Sequence, residues 1–207
     1  MAVAAVEKSK AEQFGEGTLQ IINDAALALM LSVGHRTGLF DAMADLAPAP
    51  VEEIARAAGL NERYVREWLG AMVTGGIVDY DAVSGLYHLP PEHSACLTRA
   101  SSPNNVAVTA QWIAVLGAAE GAVVDAFRHG RGVPYSAYPR FHTVMAEESR
   151  QTVVDGLLSH ILPLSHGLIG QLGAGIDVLD IACGAGGAVL AMAETFPLSR
   201  FTGVDVS

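Results

Sequence analysis

Cysteine is scarce in this chain of 207 residues, and so is positive charge. The two cysteines, Cys96 and Cys183, stand far apart. That argues against a disulfide framework and a zinc site, and points to a reducing, cytoplasmic compartment. Twelve Lys and Arg face 22 Asp and Glu, for a net charge of −10. Acidity is spread over both halves: residues 1–100 hold 7 basic and 13 acidic residues, and residues 101–207 hold the other 5 and 9. Such a surface repels phosphate backbones, which weighs against a nucleic-acid partner, and it tolerates a cationic ligand. The opening stretch, MAVAAVEKSKAEQFGEG, lacks the apolar core of a signal peptide. The most apolar early stretch, Ile21 to Val33, is broken by Asn23 and Asp24 and falls short of the roughly 20 residues a bilayer span needs, so no membrane segment is expected. Repeats and low-complexity tracts are absent. Apolar residues abound instead: 51% of the chain is hydrophobic and 16% charged, enough to bury a sizeable core.

Leu19, Ile22, Ala26, Leu29 and Val33 recur at alternating steps of three and four, which predicts a helix with a coiled-coil-like seam. Ile21, Ala25, Ala28 and Met30 make the other faces apolar too, so this helix calls for burial in its own core or against a second copy. Next, Pro50 opens and Gly59 closes one helix, Asn61 caps a second that ends at Gly75-Gly76, and Ile77–Tyr80 and Leu86–Leu89 read as a hairpin. Helix, turn, helix, hairpin is a winged helix. Its second helix pairs Arg63 and Arg66 with Glu62 and Glu67, and residues 51–76 hold 3 Arg against 4 Glu. DNA readers present an uncompensated basic face, so a structural or dimerisation role is the better reading. Thr98 to Asn105 reads as a linker. Val106–Ala119 and Ala122–Phe127 read as helices, with Trp112, Ile113 and Leu116 in the core. Phe141 to Leu162 reads as one amphipathic helix burying Val144, Met145, Val153, Leu157, Leu158 and Ile161, closed by Pro163.

The segment IDVLDIACGAGGAVLAMAETFPLSRFTGVDVS carries the chemistry. Val178–Ile181 reads as a buried parallel strand, Ala182 to Gly187 as a small-residue turn, Ala188 to Thr195 as a helix and Phe201–Asp205 as a second strand. That is the strand–helix–strand opening of a doubly wound α/β sheet, in which ligands bind beyond the carboxyl ends of the strands. Asp180, the turn and Asp205 share that edge. Gly184 and Gly186 let the backbone turn sharply with a ligand against it. Asp205 lies 19 residues past Gly186, where an acid accepts hydrogen bonds from ribose hydroxyls. Val189 stands where a dinucleotide turn has its third glycine, and Asp180 repels a pyrophosphate. A ligand without phosphate and with positive charge suits the acids.

VLDIACGAGG resembles the first motif of the class I S-adenosylmethionine-dependent methyltransferases, and FTGVDVS resembles their second strand with its ribose-binding acid. The winged helix is similar to the N-terminal dimerisation domain of small-molecule O-methyltransferases. GVPYSAYPRFHTVMAEE resembles the segment before the cofactor motif, where an aromatic and a methionine line the cofactor pocket; Phe141 and Met145 match that spacing. The resemblance implies a mainly α winged-helix unit over residues 1–100, a helical connector over 101–166, and over 167–207 the start of an α/β methyltransferase domain. It implies S-adenosylmethionine as cofactor, held by Asp180, Ala182, Cys183, Gly184, Gly186, Asp205, Phe141 and Met145, a small-molecule methyl acceptor and a homodimer. Ala182 replaces the usual first glycine and is expected to be tolerated. The family's sheet is much larger, so the chain reads as the N-terminal portion of a longer enzyme, inactive alone, with its general base unassigned. The other reading is a non-catalytic dimerisation or binding module. Cys183 reads as a packing residue within the turn, Trp68 and Trp112 as core or interface, and His160 and His166 as surface residues, not metal ligands.

Overall fold

The computed structural model describes residues 8–206. The start of the opening stretch and Ser207 lie outside the described residues. Helix α1 runs Lys10–Thr37. A capping box starts it: Glu12 N–H donates to Ser9 Oγ at 3.3 Å and Ser9 N–H to Glu12 Oε2 at 2.8 Å. Gly38 ends it in the left-handed region, φ 73°. The helix therefore extends well beyond the Leu19–Val33 seam. By length and composition it is long and apolar enough to cross a membrane, which corrects the expectation drawn from the shorter stretch. Its C-terminal end, however, is built into a protein core: Ser32, Gly34 and His35 are buried, and Trp68 Nε1–H donates to Met30 O at 2.9 Å. The seam itself stays uncovered within the chain, with Leu19 60%, Ile22 58% and Leu29 38% exposed.

Helices α2 (Leu39–Ala44), α3 (Val51–Ala58) and α4 (Glu62–Thr74) follow, then the antiparallel strands β1 (Asp79–Asp81) and β2 (Leu86–His88) and helix α5 (Pro91–Leu97). Local chemistry sets the boundaries. Gly59 closes α3 at φ 66°, and Asn61 caps α4 by accepting from Arg63 N–H at 3.1 Å. Phe40, Ile54, Trp68, Leu69 and Met72 form the core of this unit. The hairpin begins two residues later than expected, at Asp79, because Val78 is drawn into the core. Ala49 also pairs with Tyr87 through two backbone bonds of 3.0 and 2.9 Å, which adds a third pairing to the wing.

Thr98 to Asn105 is no loose linker. Thr98 and Asn105 are buried, and Arg99 grips Asp41 and donates to His35 O at 2.7 Å. Asn105 caps α6 (Val106–Gly117), which is followed by α7 (Glu120–His129). Helix α6 buries Ala107, Val108, Gln111 and Val115, leaving Ile113 and Leu116 41% and 53% exposed. The expected inward face is rotated, because small side chains let α6 lie close along α1. Helix α8 (Phe141–Ser149) continues through two π-helical stretches, Arg150–Val154 and Leu157–Ile161. Their i→i+5 bonds widen the turns and shift the phase of later side chains. Val144 and Leu157 are buried as expected; Met145, ahead of the π-helical stretches, is exposed, and so are Val153, Leu158 and Ile161 within them.

Helix α9 (Leu168–Ala174), strand β3 (Asp177–Ile181), helix α10 (Gly187–Thr195) and strand β4 (Arg200–Val204) complete the described chain. The strands pair in parallel, from Asp177↔Arg200 to Ile181↔Val204. Ser199 Oγ donates to Leu172 O at 2.6 Å and accepts from Ile176 N–H at 3.0 Å, tying α9 to the sheet. Leu157, Leu162, Leu172 and Met192 form a small core against one face. The other face is open, with Leu179 58% and Ile181 74% exposed, so β3 is not the fully buried strand expected. Helices cover one side of the pair only.

Candidate functional site

The end of β4 shapes the turn that follows β3. Ala182 N–H and Cys183 N–H both donate to Val204 O, at 2.8 and 3.2 Å. Gly184 N–H donates to Asp205 Oδ2 at 2.8 Å, and Gly186 N–H to Cys183 O at 2.9 Å. The backbone enters the left-handed region at Ala182 (φ 64°), Gly184 (φ 55°) and Gly186 (φ 78°). For alanine that conformation costs about 1–2 kcal/mol, which the bonds to Val204 offset. Cys183 packs over the strand: a Cβ on Gly203 would lie 2.9 Å from its Sγ. Helix α10 starts at the turn, and a Cβ on Gly187 would lie 3.2 Å from Val154 of the helix beyond α8.

Nothing lies within 4 Å of where a Cβ on Gly184 or Gly186 would stand. The space over the turn is open, and two strand-end acids, Asp180 and Asp205, border it. Both flanking side chains are acidic, which disfavours an anionic group over the turn. The structure therefore brings together Asp180, Ala182, Cys183, Gly184, Gly186 and Asp205 at one edge.

Phe141 and Met145 are placed elsewhere on α8. Met145 precedes Val154, the residue next to the turn, by nine positions, about 14 Å along a helix. Phe141 is the hub of an aromatic cluster, with ring centroids of Tyr135 at 4.9 Å, Trp112 at 5.3 Å and Tyr138 at 6.2 Å. Met145 is 39% exposed beside it on the same helix.

A polar network, invisible to sequence reasoning, fixes α8. Glu148 accepts from Trp112 Nε1–H at 2.7 Å and Thr109 Oγ1–H at 3.0 Å. Glu147 binds buried His35 Nε2 at 2.7 Å and accepts from Gln111 Nε2–H at 2.7 Å, while Gln111 Oε1 accepts from Arg140 Nη2–H at 2.7 Å. Burial pushes the Glu147 carboxyl up, but the hydrogen bonds from Gln111 and His35, with the charges of His35 and Arg99, outweigh it and hold the group below the usual carboxylate range. Arg140, the left-handed residue (φ 62°) that caps α8, is pulled below its usual value by burial and by nearby Arg36.

In the winged helix, Arg66 is ion-paired with Glu62 and lies 3.6 Å from Glu52, so its charge is matched on both sides. Trp68 is core, as read, and Trp112 is half-buried. His160 and His166 are exposed. Among the described residues, no group of three or more His, Cys, Asp or Glu is placed to hold a metal ion.

Residues 25–99 match the Rv2258c-like winged HTH domain. No curated protein matches the chain. Among solved structures, human N-acetylserotonin methyltransferase in complex with SAM superposes with a TM-score of 0.60 at 17% identity, over 98% of this chain and 60% of that one. CalO1, a methyltransferase of calicheamicin biosynthesis in its SAH-bound form, gives 0.58 at 15%, over 96% and 60%. The mitomycin 7-O-methyltransferase MmcR gives 0.58 at 18%, over 94% and 59%. At these identities the likeness shows the fold: a winged helix, a helical connector and a parallel strand pair flanked by helices. The chain spans about 60% of the length of these structures.

Proposed function

We propose that the chain belongs to an S-adenosylmethionine-dependent methyltransferase acting on a small molecule. The observation that carries this reading is the open glycine turn between two strand-end acids, with no space filled above Gly184 or Gly186. In this reading Asp205 accepts hydrogen bonds from the ribose hydroxyls. The turn from Ala182 to Gly186 receives the methionine portion beside Asp180, and Cys183 keeps the turn seated on Gly203. S-adenosylmethionine supplies an electrophilic methyl group on a sulfonium. The chain's own part is to bind and orient it, since methyl transfer depends on alignment with the acceptor atom. Phe141 and Met145, which lie well along the helix from the glycine turn, are left out of this set. A general base is not assigned to any residue of this set.

The test is a titration of the protein with S-adenosylhomocysteine, followed by backbone amide NMR. Shifts confined to residues 180–187 and 205 are expected. Asp205→Ala removes bonds to a charged group worth about 1.5–3 kcal/mol each, so affinity should fall roughly tenfold or more. Gly184→Val should abolish binding by filling the open space. No shift at millimolar ligand, or unchanged affinity in Asp205→Ala, removes the assignment. A second reading, a dimerisation or binding module without turnover, is favoured by the exposed apolar seam of α1.

The proposed partner of α1 is a second copy of the chain, in a cytoplasmic protein that keeps Cys96 and Cys183 reduced. The exposed seam of Leu19, Ile22 and Leu29 supports this over a membrane, because the C-terminal end of α1 lies in the winged-helix core. Leu29→Glu should convert a dimer to monomer in light scattering. A parent chain that is monomeric throughout the micromolar range sinks the idea.

A further inference from the structure

The glycine turn is held from two sides. The end of β4 takes its N–H groups, and the helical run that continues α8 bears on the residue that follows it. Gly187 is the first residue of α10, and a Cβ there would stand 3.2 Å from Val154 Cγ2, inside ordinary van der Waals contact. Gly186, left-handed at φ 78°, joins Gly187 to the turn. A displacement at Val154 is therefore passed to a glycine joint, with no side chain at 186 or 187 to absorb it. We propose that Val154 is a positioning residue for the turn, fixing how Gly184 and Gly186 face a ligand, and that hydrogen bonds to the winged-helix side of the molecule hold Val154 in place. The inference rests on the reading of the turn as the S-adenosylmethionine site.

Three successive turns of the run are tied along one face, at steps of four residues. Glu147 binds His35 Nε2 of α1 and accepts from Gln111 Nε2–H of α6, both at 2.7 Å. Buried Gln151 donates from Nε2 to the backbone O of Asn105, the cap of α6, at 3.0 Å. Asp155 Oδ2 accepts from Ser102 Oγ–H at 2.5 Å. Val154 lies inside this pinned stretch. A run tied at residues 147, 151 and 155 cannot slide or roll without breaking bonds, one of which is buried.

The local backbone sets the angle of Val154. It is the last residue of the π-helical stretch Arg150–Val154, which Asp155 N–H closes by donating to Arg150 O. A π-helical turn is wider than an α-helical one, so a regular helix over the same residues would turn Val154 to a different angle from the polar ties. The wide turn thus lets one run keep Gln151 and Asp155 on the winged-helix side and Val154 against α10. Val154 is half-buried and stands outside the small core of Leu157, Leu162, Leu172 and Met192, so its contact with Gly187 matters more to the turn than to the core.

The experiment is a double-mutant cycle on the intact chain with two readouts. Without ligand, the amide resonances and exchange rates of Gly184 and Gly186 report the turn through their bonds to Asp205 Oδ2 and Cys183 O. With ligand, calorimetry reports affinity for S-adenosylhomocysteine. Gly187→Ala crowds the contact and Val154→Ala empties it. Each should move both resonances and weaken binding roughly two- to tenfold, a coupling of the size that residues in contact show. The double variant carries the methyl on the other side of the contact and should recover both readouts, although Val154→Ala on its own can only reduce packing. Recovery of affinity without recovery of the urea midpoint separates positioning from stability. Gln151→Met keeps the volume and loses the bond to Asn105 O, so it should move the same two resonances without touching the contact. Unmoved turn resonances in Gly187→Ala or in Gln151→Met, or a double variant no better than the worse single one, overturn the proposal. If the parent shows no binding while the resonances follow the cycle, the cofactor reading falls and the positioning stands. If the parent binds and all variants bind equally well, the positioning falls and the cofactor reading stands.

Discussion

Helix α1 contains three glycines before its cap, and one alanine substitution should act with opposite sign along it. Gly17 has nothing within 4 Å of where a Cβ would stand. Gly17→Ala should therefore raise helicity, by up to about 1 kcal/mol of helix propensity. A Cβ at Gly34 would stand 2.5 Å from Trp68 Cζ2 and 2.7 Å from Phe40 Cε2. Both rings are buried and meet edge-on at 5.2 Å, and Trp68 is tethered to Met30 O. Neither ring can withdraw by the better part of an ångström without unpacking the other. Overpacking costs about 1–3 kcal/mol and sometimes more, loss of the indole bond adds about 1, and helix propensity returns about 1. The net is a loss of about 1–3 kcal/mol, or roughly 5- to 150-fold in the folded-to-unfolded ratio. Urea unfolding followed by tryptophan fluorescence reads this directly, with circular dichroism for Gly17→Ala. A Gly34→Ala protein that unfolds at or above the parent's urea midpoint would refute the account of how α1 is keyed into the winged helix.

Glu147 gives a pH dependence of known sign. Its folded pKa is depressed, so its contribution is present above the ordinary carboxylate range near pH 4.3 and is lost as pH falls through the lower folded value. Thermal melts from pH 6 to 3 should fall less steeply for Glu147→Gln than for the parent, and parallel profiles would discount the His35–Glu147–Gln111 network. Hydrogen exchange should be slow in α3, α4 and the buried end of α1 and fast in β3 and β4, whose outer face is open; equal protection of Leu179 and Leu69 would contradict that.

Features set by local chemistry were legible in the sequence. Gly59, Asn61 and Gly75 bound the winged-helix elements where their residue types demand, and the turn from Ala182 to Gly187 lies between two parallel strands as its small residues require. Features set by neighbours were not. The inward face of α6 depends on α1 lying alongside, so Gln111 and Val115 are buried where Ile113 and Leu116 were expected. The π-helical stretches change the hydrogen-bond register without changing the apolar pattern, which misplaced Val153, Leu158 and Ile161. His35 and Glu147 are 112 residues apart, and no periodicity links them. The Ala49–Tyr87 pairing is a single bridge, too short to leave a strand signature.

The geometry of the turn also explains why alanine is acceptable at its first position. Glycines alone do not hold the loop in shape: three of its N–H groups are taken by the end of β4, two by Val204 O and one by Asp205 Oδ2. Those bonds exist only while β4 is zipped to β3 as far as Ile181↔Val204. Pairing of the strands and formation of the turn are therefore one event. Ala182 is held in a left-handed conformation just past the end of the ladder, where its N–H is taken by Val204 O, and Gly203 gives Cys183 room to lie flat against the strand. Asp205 consequently does two things at once. It closes the turn on Gly184 and borders the open space above it, so a ligand that engages Asp205 acts on the shape of the turn as well as on the carboxylate.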